Sequence, residues 1–121
     1  MTEIQNKKLY DLEERTFQFS KKCREFVRKL PKSIGTIEDG KQLVRSSGSV
    51  GANYIEANEA LSKKDFIMRA KISKKETKES RYWLRLIYTG DKSELEKEKK
   101  ELILEATELM NIFGAIIRKS E

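Results

Sequence analysis

A run of basic side chains between residues 63 and 88 has the composition of a phosphate-binding surface. This segment holds nine Lys and Arg residues against three Asp and Glu residues, a net charge of +6. Lysine and arginine neutralise the phosphates of RNA or DNA without reading their sequence. If the segment is a helix, most of its basic residues share one face or flank it. That face would carry Lys64, Lys71, Lys75, Lys78 and Arg85, with Lys74 and Arg81 beside them.

The alternative reading of this face, here called the basic stripe, is an ordinary solvated helix surface, for which lysine is well suited. The stripe lacks balancing acids, which favours a nucleic-acid-facing surface. Met68 and Tyr82 fall in the same stripe, where they could meet a base or a partner subunit. Residues 1–32 are also basic, with nine Lys and Arg against five Asp and Glu. They offer a second candidate surface made of Lys21, Lys22, Arg28 and Lys29.

Residues suited to catalysis are scarce in this chain. Histidine is absent, and the single cysteine, Cys23, cannot form an internal disulfide and fits a core position. Glu56 and Glu76 could form a carboxylate pair for acid–base or metal chemistry, but metal sites in helical bundles add Glu-x-x-His pairs. We interpret both glutamates as structural ion-pair partners of Arg45 or Arg69. The sequence therefore predicts no catalytic residue, no metal and no cofactor, and a protein that is not an enzyme.

The elements that position these side chains are predicted to be four helices. Apolar and small residues recur at alternating steps of three and four from Leu9 to Leu30, Leu43 to Leu61, Phe66 to Ile87 and Leu95 to Ile116. One proline and six glycines are too few for a fold with many turns. The expected fold is an all-α, antiparallel up-down-up-down four-helix bundle, a single domain over residues 1–121. Its helices are expected at roughly 7–31, 37–60, 63–89 and 94–119.

Local signals support these helix boundaries. Pro31 would close the first helix, and Gly90 would end the third. Thr36, Ser62 and Ser93 are each followed three residues later by an acid, the pattern of a capping box.

The stretch "RSSGSVGANYIEANEA" (Arg45 to Ala60) could be a phosphate-binding loop or a helix packed closely on a neighbour. A P-loop needs a preceding strand and a lysine followed by serine or threonine, and the KH-type loop that Gly48-Ser-Val-Gly51 resembles in spacing needs a sheet. No strand is predicted, so we interpret the stretch as a helix whose small residues permit close approach. Beside its heptad seam, the row of apolar and small residues that faces the core, runs a second row of small and polar residues. These would need partners such as Arg69 or another subunit. The residues proposed for helix packing or oligomer contacts are Ser49, Gly51, Asn53, Glu56, Arg69, Glu76 and Trp83.

Several segments together resemble one protein family. "SVGANYIEA" (Ser49 to Ala57) resembles the S-I-P-S-N-I-A-E-G segment of bacterial four-helix bundle proteins, also called 23S rRNA intervening-sequence proteins. On the third predicted helix, Phe66, Arg69, Ala70, Ser73 and Glu76 resemble the family's F-x-x-x-(R)-A-x-x-S-x-x-E run. "ETKESRYWLRLI" is similar to a branch that ends in YWLRLL, and "YDLEERTFQFS" resembles the family's F-x-D-L-x-V-W start.

The resemblance implies a small bundle without known catalytic activity, often assembled as a homopentamer. Some members are encoded by inserts within ribosomal RNA genes. Relatives are accessory variability determinant proteins of diversity-generating retroelements, which bind nucleic acid and a reverse transcriptase. From the residues and the resemblance together we expect an oligomeric bundle that binds RNA or DNA through its basic helical faces. The alternative is a protein–protein adaptor whose basic face docks an acidic partner. With no membrane span and no signal peptide in the sequence, we expect a cytoplasmic protein.

Overall fold

The computed structural model describes the backbone of residues 3–121 and side chains from residue 11 onward. Its four α-helices are α1 (Glu3–Arg28), α2 (Ile34–Asn58), α3 (Lys63–Leu86) and α4 (Ser93–Ser120), with no strand among the described residues. Each helix packs against two others, in the order α1–α2–α3–α4 and back to α1. This is the predicted antiparallel up-down-up-down bundle. Within residues 3–121, no helix is long and apolar enough to cross a membrane.

The predicted seams form the core. Phe19, Phe26, Tyr54 and Phe113 are among its largest fully buried side chains, and Tyr54 meets Phe113 edge-on with ring centroids 5.8 Å apart. The side chain of Leu9, the first seam residue expected on α1, lies outside the described residues.

Some seam positions near helix ends are less buried than predicted. Leu61 is 99% exposed, because α2 ends at Asn58 and the seam ends with it. Near the end of α4, Ile117 is buried and Ile116 is only partly so. A helix turns once in 3.6 residues, so a strict repeat of 3.5 drifts off the core over several turns.

The first loop places the start of α2 earlier than predicted. The N-cap is Ser33 rather than Thr36: the Ser33 hydroxyl accepts from the Thr36 backbone N–H at 3.2 Å, and the Thr36 hydroxyl accepts from the Ser33 N–H at 3.0 Å. Thr36 is buried and its hydroxyl also bonds the Pro31 carbonyl. A hydroxyl at this third helical position completes the capping box in place of an acid. Pro31 follows the last residue of α1, Arg28, by three positions.

The other two predicted caps have different outcomes. Ser62 caps α3, with its hydroxyl accepting from the Asp65 N–H at 3.1 Å, as predicted. Ser93 is not a cap but the first residue of α4; Lys92 precedes it and makes no side-chain cap bond. This start is stabilised by Glu94 and Glu96 in the first turn, where acids interact favourably with the helix dipole.

Gly90 does not end α3, which stops four residues earlier at Leu86. The end of α3 is instead closed by Lys99 of α4, whose Nζ donates to the Ile87 carbonyl at 2.9 Å. Gly90 and Asp91 form the α3–α4 turn with φ of +74° and +59°, the left-handed region that glycine adopts without strain.

α2 has a different small-residue surface toward each neighbour. Gly40, Gly48 and Gly51 face α1: a Cβ on Gly51 would lie 3.2 Å from the Thr16 hydroxyl and 3.7 Å from its backbone carbonyl carbon. Serine residues line the contact with α3, where Ser73 donates to the Val50 carbonyl at 2.9 Å. The Gly48–Gly51 stretch is therefore helix interior, as the sequence predicted.

Candidate nucleic-acid interface

The basic stripe lies on the outer face of α3. The opposite face of this helix buries Ala70, Ser73, Thr77, Ser80 and Leu84, so its heptad seam fixes which side chains point to solvent. All five central members of the stripe, Lys64, Lys71, Lys75, Lys78 and Arg85, are exposed. Met68 and Tyr82 are exposed among them, at 47% and 54%.

Four of these five cations have no ion-pair partner among the side chains of residues 11–121. The exception is Lys71, whose Nζ is 3.9 Å from a carboxylate oxygen of Glu121, with both side chains more than half exposed. Such a long, exposed pair contributes little energy and is readily exchanged. Among residues 11–121, no close ion pair therefore neutralises Lys64, Lys75, Lys78 or Arg85, although Lys75 helps to hold the pKa of the Glu79 carboxyl low.

The two flanking cations of the stripe lean toward α4. Arg81 donates to the Thr107 hydroxyl at 3.3 Å, and Lys74 Nζ lies 3.5 Å from where a Cβ on Gly114 would stand. Both are half-buried. They can turn outward to a ligand only by giving up these contacts.

The second candidate surface, on α1, divides into two parts. Lys29 Nζ is 2.7 Å from a Glu98 carboxylate oxygen, and Lys22 lines the acidic groove between α1 and α4. Lys21 and Arg28 are exposed elsewhere on α1. The four α1 cations therefore do not form one uncompensated patch.

The same α1–α4 border holds a bidentate ion pair. Arg15 donates through Nε and Nη2 to the two carboxylate oxygens of Glu105 at 2.8 and 2.7 Å, and to Glu108 at 2.8 Å. The hydrogen bond to Glu105 raises the pKa of the Arg15 guanidinium further above its ordinary value. Glu98, Glu105 and Glu108 of α4 are thus paired with cations of α1 and not with those of α3.

At the α2–α3 border, Arg45 joins two glutamates of α3. Its guanidinium is 3.2 Å from a Glu76 oxygen, as the sequence predicted, and also pairs with Glu79. Glu79 accepts a hydrogen bond from Trp83 Nε1 at 3.1 Å, and this bond, together with Arg45, holds the pKa of the Glu79 carboxyl below its ordinary value. Glu79 was not among the residues predicted from the sequence. Its position four residues before Trp83, on the same helix face, was the available signal.

The remaining candidates for helix packing find their partners within the chain or in solvent. Arg69 Nη1 donates to the Asn53 side-chain oxygen at 3.0 Å, so Asn53 has the partner that the sequence predicted. The Ser49 hydroxyl donates to the Arg45 carbonyl of its own helix, and Glu56 is exposed rather than near the core. Trp83 is half-buried and packs against the core cluster.

Groups that could perform other chemistry are few in the described part of the chain. Cys23 is fully buried, and burial raises the pKa of its thiol to about 12. A thiol with such a pKa is almost entirely protonated at neutral pH and is a poor nucleophile. Among the described residues, no group of three or more Cys, Asp and Glu side chains is arranged to hold a metal ion.

These features define an all-helical bundle that carries, among its described residues, a row of exposed cations on α3 without close carboxylates. The chain belongs to the 23S rRNA-intervening sequence protein family, whose sequence model matches residues 8–115. It is similar in fold to the crystal structure of a protein with unknown function from the S23 ribosomal protein family of Bacteroides thetaiotaomicron VPI-5482. The TM-score is 0.76 at 26% identity, over 92% of this chain and 98% of that chain. No curated protein matches the sequence significantly.

Proposed function

We propose that this protein is a non-enzymatic, oligomeric helical bundle that binds RNA or DNA through the basic stripe of α3. The observation that carries the proposal is the row of exposed α3 cations without a close carboxylate, whereas two cations of α1 are paired. Arg15 and Lys29 of α1 pair closely with glutamates of α4. In the stripe, Lys64, Lys75, Lys78 and Arg85 have no carboxylate within 4.0 Å among residues 11–121.

A regular row of exposed cations suits a phosphate backbone. Lys64, Lys71, Lys78 and Arg85 are spaced seven residues apart, which is about 10.5 Å per step along a helix. The membership of a family named for an intervening sequence in 23S rRNA is consistent with a nucleic-acid ligand. Contacts of this kind carry no base information, so we propose binding with little sequence preference.

The test is charge reversal on the stripe. Changing Lys71, Lys75 and Lys78 together to glutamate should abolish binding to generic RNA and DNA, because phosphate neutralisation and counterion release supply most of the affinity. Binding is measured by fluorescence anisotropy over a range of salt concentrations. The unmutated protein should lose affinity steeply as salt rises.

A charge-matched control separates the stripe from net charge. Lys92, Lys97 and Lys100 are exposed lysines outside the stripe, and changing all three to glutamate alters the net charge by the same amount. This control should weaken binding only slightly, and circular dichroism should show both triple variants fully helical. Equal loss in the two variants would move the site away from α3, and no binding by the unmutated protein at low salt would overturn the proposal.

We extend the proposal to a homo-oligomer, for which the family resemblance points to a closed pentameric ring. Support comes from apolar side chains left on the α1–α2 side of the bundle: Phe17, Ile37 and Ile55 are each about half exposed. A ring would repeat the stripe in every subunit, so that modest contacts add up to useful avidity.

A second candidate function, a protein–protein adaptor, is favoured by a groove between α1 and α2. Its floor is apolar and includes Val27, Leu30 and Val44, and its lining also carries Arg28, Lys32 and Lys41. Such a groove suits an acidic, amphipathic segment of a partner protein, such as a partner enzyme. The anisotropy titration separates the two candidates: an adaptor does not bind nucleic acid at low salt, and the α3 triple variant leaves its partner binding intact.

A further inference from the structure

We propose that the basic stripe takes its nucleic acid as a single strand, with an unpaired base stacked on the ring of Tyr82. This inference rests on the proposed function and specifies the class of ligand at the same surface. It is carried by the position, exposure and support of one aromatic side chain.

Tyr82 lies between two cations of the basic stripe. On the surface of α3 its neighbours at four residues before and three residues after are Lys78 and Arg85, both exposed. The residue itself is 54% exposed, so its ring is accessible to a ligand. A base stacked on Tyr82 would therefore have a cation on each side to meet its flanking phosphates.

The ring is held from one side by a chain of contacts. Trp83 packs on Tyr82 in an edge-to-face arrangement, with ring centroids 5.1 Å apart and planes at 78°. Trp83 is in turn fixed by the hydrogen bond from its Nε1 to Glu79, which pairs with Arg45 of α2. The phenol ring is thus supported by both helices while more than half of the residue stays open to solvent. Little side-chain freedom remains to be lost when a base stacks on it.

A supported aromatic ring between cations distinguishes a single strand from a duplex. In a duplex the faces of the bases are covered by the neighbouring bases, so an aromatic ring on a helix surface can stack on a base only if a base step is unstacked. In a single strand the bases are available, and stacking on an aromatic ring adds affinity without sequence preference. The stripe alone binds both forms, and Tyr82 adds affinity for only one.

The test compares Tyr82→Ala with matched variants on single-stranded and duplex ligands of equal length, by fluorescence anisotropy. Tyr82→Ala should weaken binding to a single-stranded RNA or DNA about tenfold and leave duplex binding within about twofold. Tyr82→Phe should bind like the unmutated protein, because the ring remains. Tyr88→Ala is the matched control: Tyr88 is 57% exposed but lies in the α3–α4 loop, outside the stripe, and its loss should change neither affinity.

A second readout uses the only tryptophan of the chain, Trp83. Stacking beside it should change its fluorescence when a single strand is added, and the change should be absent with duplex and in Tyr82→Ala. Equal losses on both ligands, or no loss in Tyr82→Ala while the Lys71, Lys75 and Lys78 triple variant still loses binding, would overturn this inference and leave the proposed function standing. Failure of the unmutated protein to bind either ligand would overturn both.

Discussion

Glu79 connects polar side chains of α2 and α3. It accepts a hydrogen bond from Trp83 and an ion pair from Arg45, and so joins the core edge of α3 to the outer face of α2. Arg45, Glu76 and Trp83 were predicted from the sequence and Glu79 was not, although its spacing from Trp83 was an available signal. That one carboxylate both accepts from the indole and pairs with Arg45 depends on side-chain rotamers. Local charge pairing is predictable from spacing, whereas the sharing of one guanidinium by two acids is not.

The lowered pKa of Glu79 makes part of the stability depend on pH. A carboxyl whose pKa is lower in the folded than in the unfolded state stabilises the fold above its unfolded pKa, near the ordinary value of 4.5. That contribution is lost as the pH falls through the folded-state pKa. We therefore expect Glu79→Gln to lower the free energy of unfolding at neutral pH and to make little difference in acid well below 4.5.

Urea denaturation followed by circular dichroism at a series of pH values measures this difference. Glu56→Gln is the matched control, because Glu56 is an exposed glutamate on α2 and should change stability less at neutral pH. A Glu79→Gln deficit that grew as the pH fell would show that the carboxylate is not stabilised by its partners.

At the scale of elements, the glycines of α2 decide how closely it approaches α1. A Cβ on Gly51 would touch the side chain and backbone of Thr16, and a Cβ on Gly40 would lie 2.9 Å from a Val27 methyl. Each glycine costs about 1 kcal/mol of helix propensity relative to alanine, so the contact that it permits must offset that loss. Gly40, Gly48 and Gly51 thus lower the helix propensity of α2 but allow it to pack close to α1.

Gly51→Leu should lower the free energy of unfolding by about 2 kcal/mol or more, because the added side chain overpacks a contact that includes backbone. Gly35→Leu is the matched control within the same helix, since a Cβ at Gly35 would meet nothing within 4 Å. It should be neutral or stabilise by up to about 1 kcal/mol, as leucine is the better helix former. Chemical denaturation of the two variants measures both values, and an equal effect would mean that Gly51 faces open space.

The four helices, and which of them are neighbours, were predictable from the sequence. Heptad spacing fixed the core faces, since any other orientation would have exposed residues such as Phe19 and Phe26. The helix ends were less predictable. Several hydroxyl residues compete to cap α2, and the choice of Ser33 depends on the Pro31 carbonyl that Thr36 binds across the turn. A contact of that kind depends on tertiary structure.

The candidate site, too, was only partly predictable from the sequence. The exposure of Lys64, Lys75 and Lys78 follows directly from the seam on the opposite face of α3. The pairing of Lys29 with Glu98 could not be read from the sequence, because it depends on the register of α1 against α4. That pairing makes the α1 surface weaker as a phosphate site than the stripe.

At the scale of the whole molecule, the sides of the bundle differ in charge and in apolar surface. Most cations of α3 have no close carboxylate among the described residues, whereas Arg15 on the α1–α4 border and Arg45 on the α2–α3 border are paired. Phe17, Ile37 and Ile55 are exposed on the α1–α2 side, so that side is available for a second subunit while the stripe remains exposed.

Multi-angle light scattering at tens of micromolar should return a multiple of 14.1 kDa, and five subunits would give about 70 kDa. Changing Phe17 and Ile55 together to glutamate should reduce the mass to that of one chain, because charges would enter the buried contact. Leu61→Glu is the control, since Leu61 is 99% exposed at the α2–α3 turn and should leave the mass unchanged. A single-chain mass for the unmutated protein would count decisively against the oligomer.

The contacts between neighbouring helices differ in extent, and this difference also sets the order in which parts of the bundle unfold. α2 and α3 are consecutive and share the most extensive contact, whereas α1 and α4 share the least and depend on ion pairs such as Arg15–Glu105. Contacts between consecutive helices form early because little loop entropy opposes them, while the α1–α4 border joins residues some ninety positions apart. The α2–α3 hairpin should therefore behave as the slowest-exchanging foldon of the native state, with the α1–α4 border opening first and more readily in high salt, which screens its ion pairs.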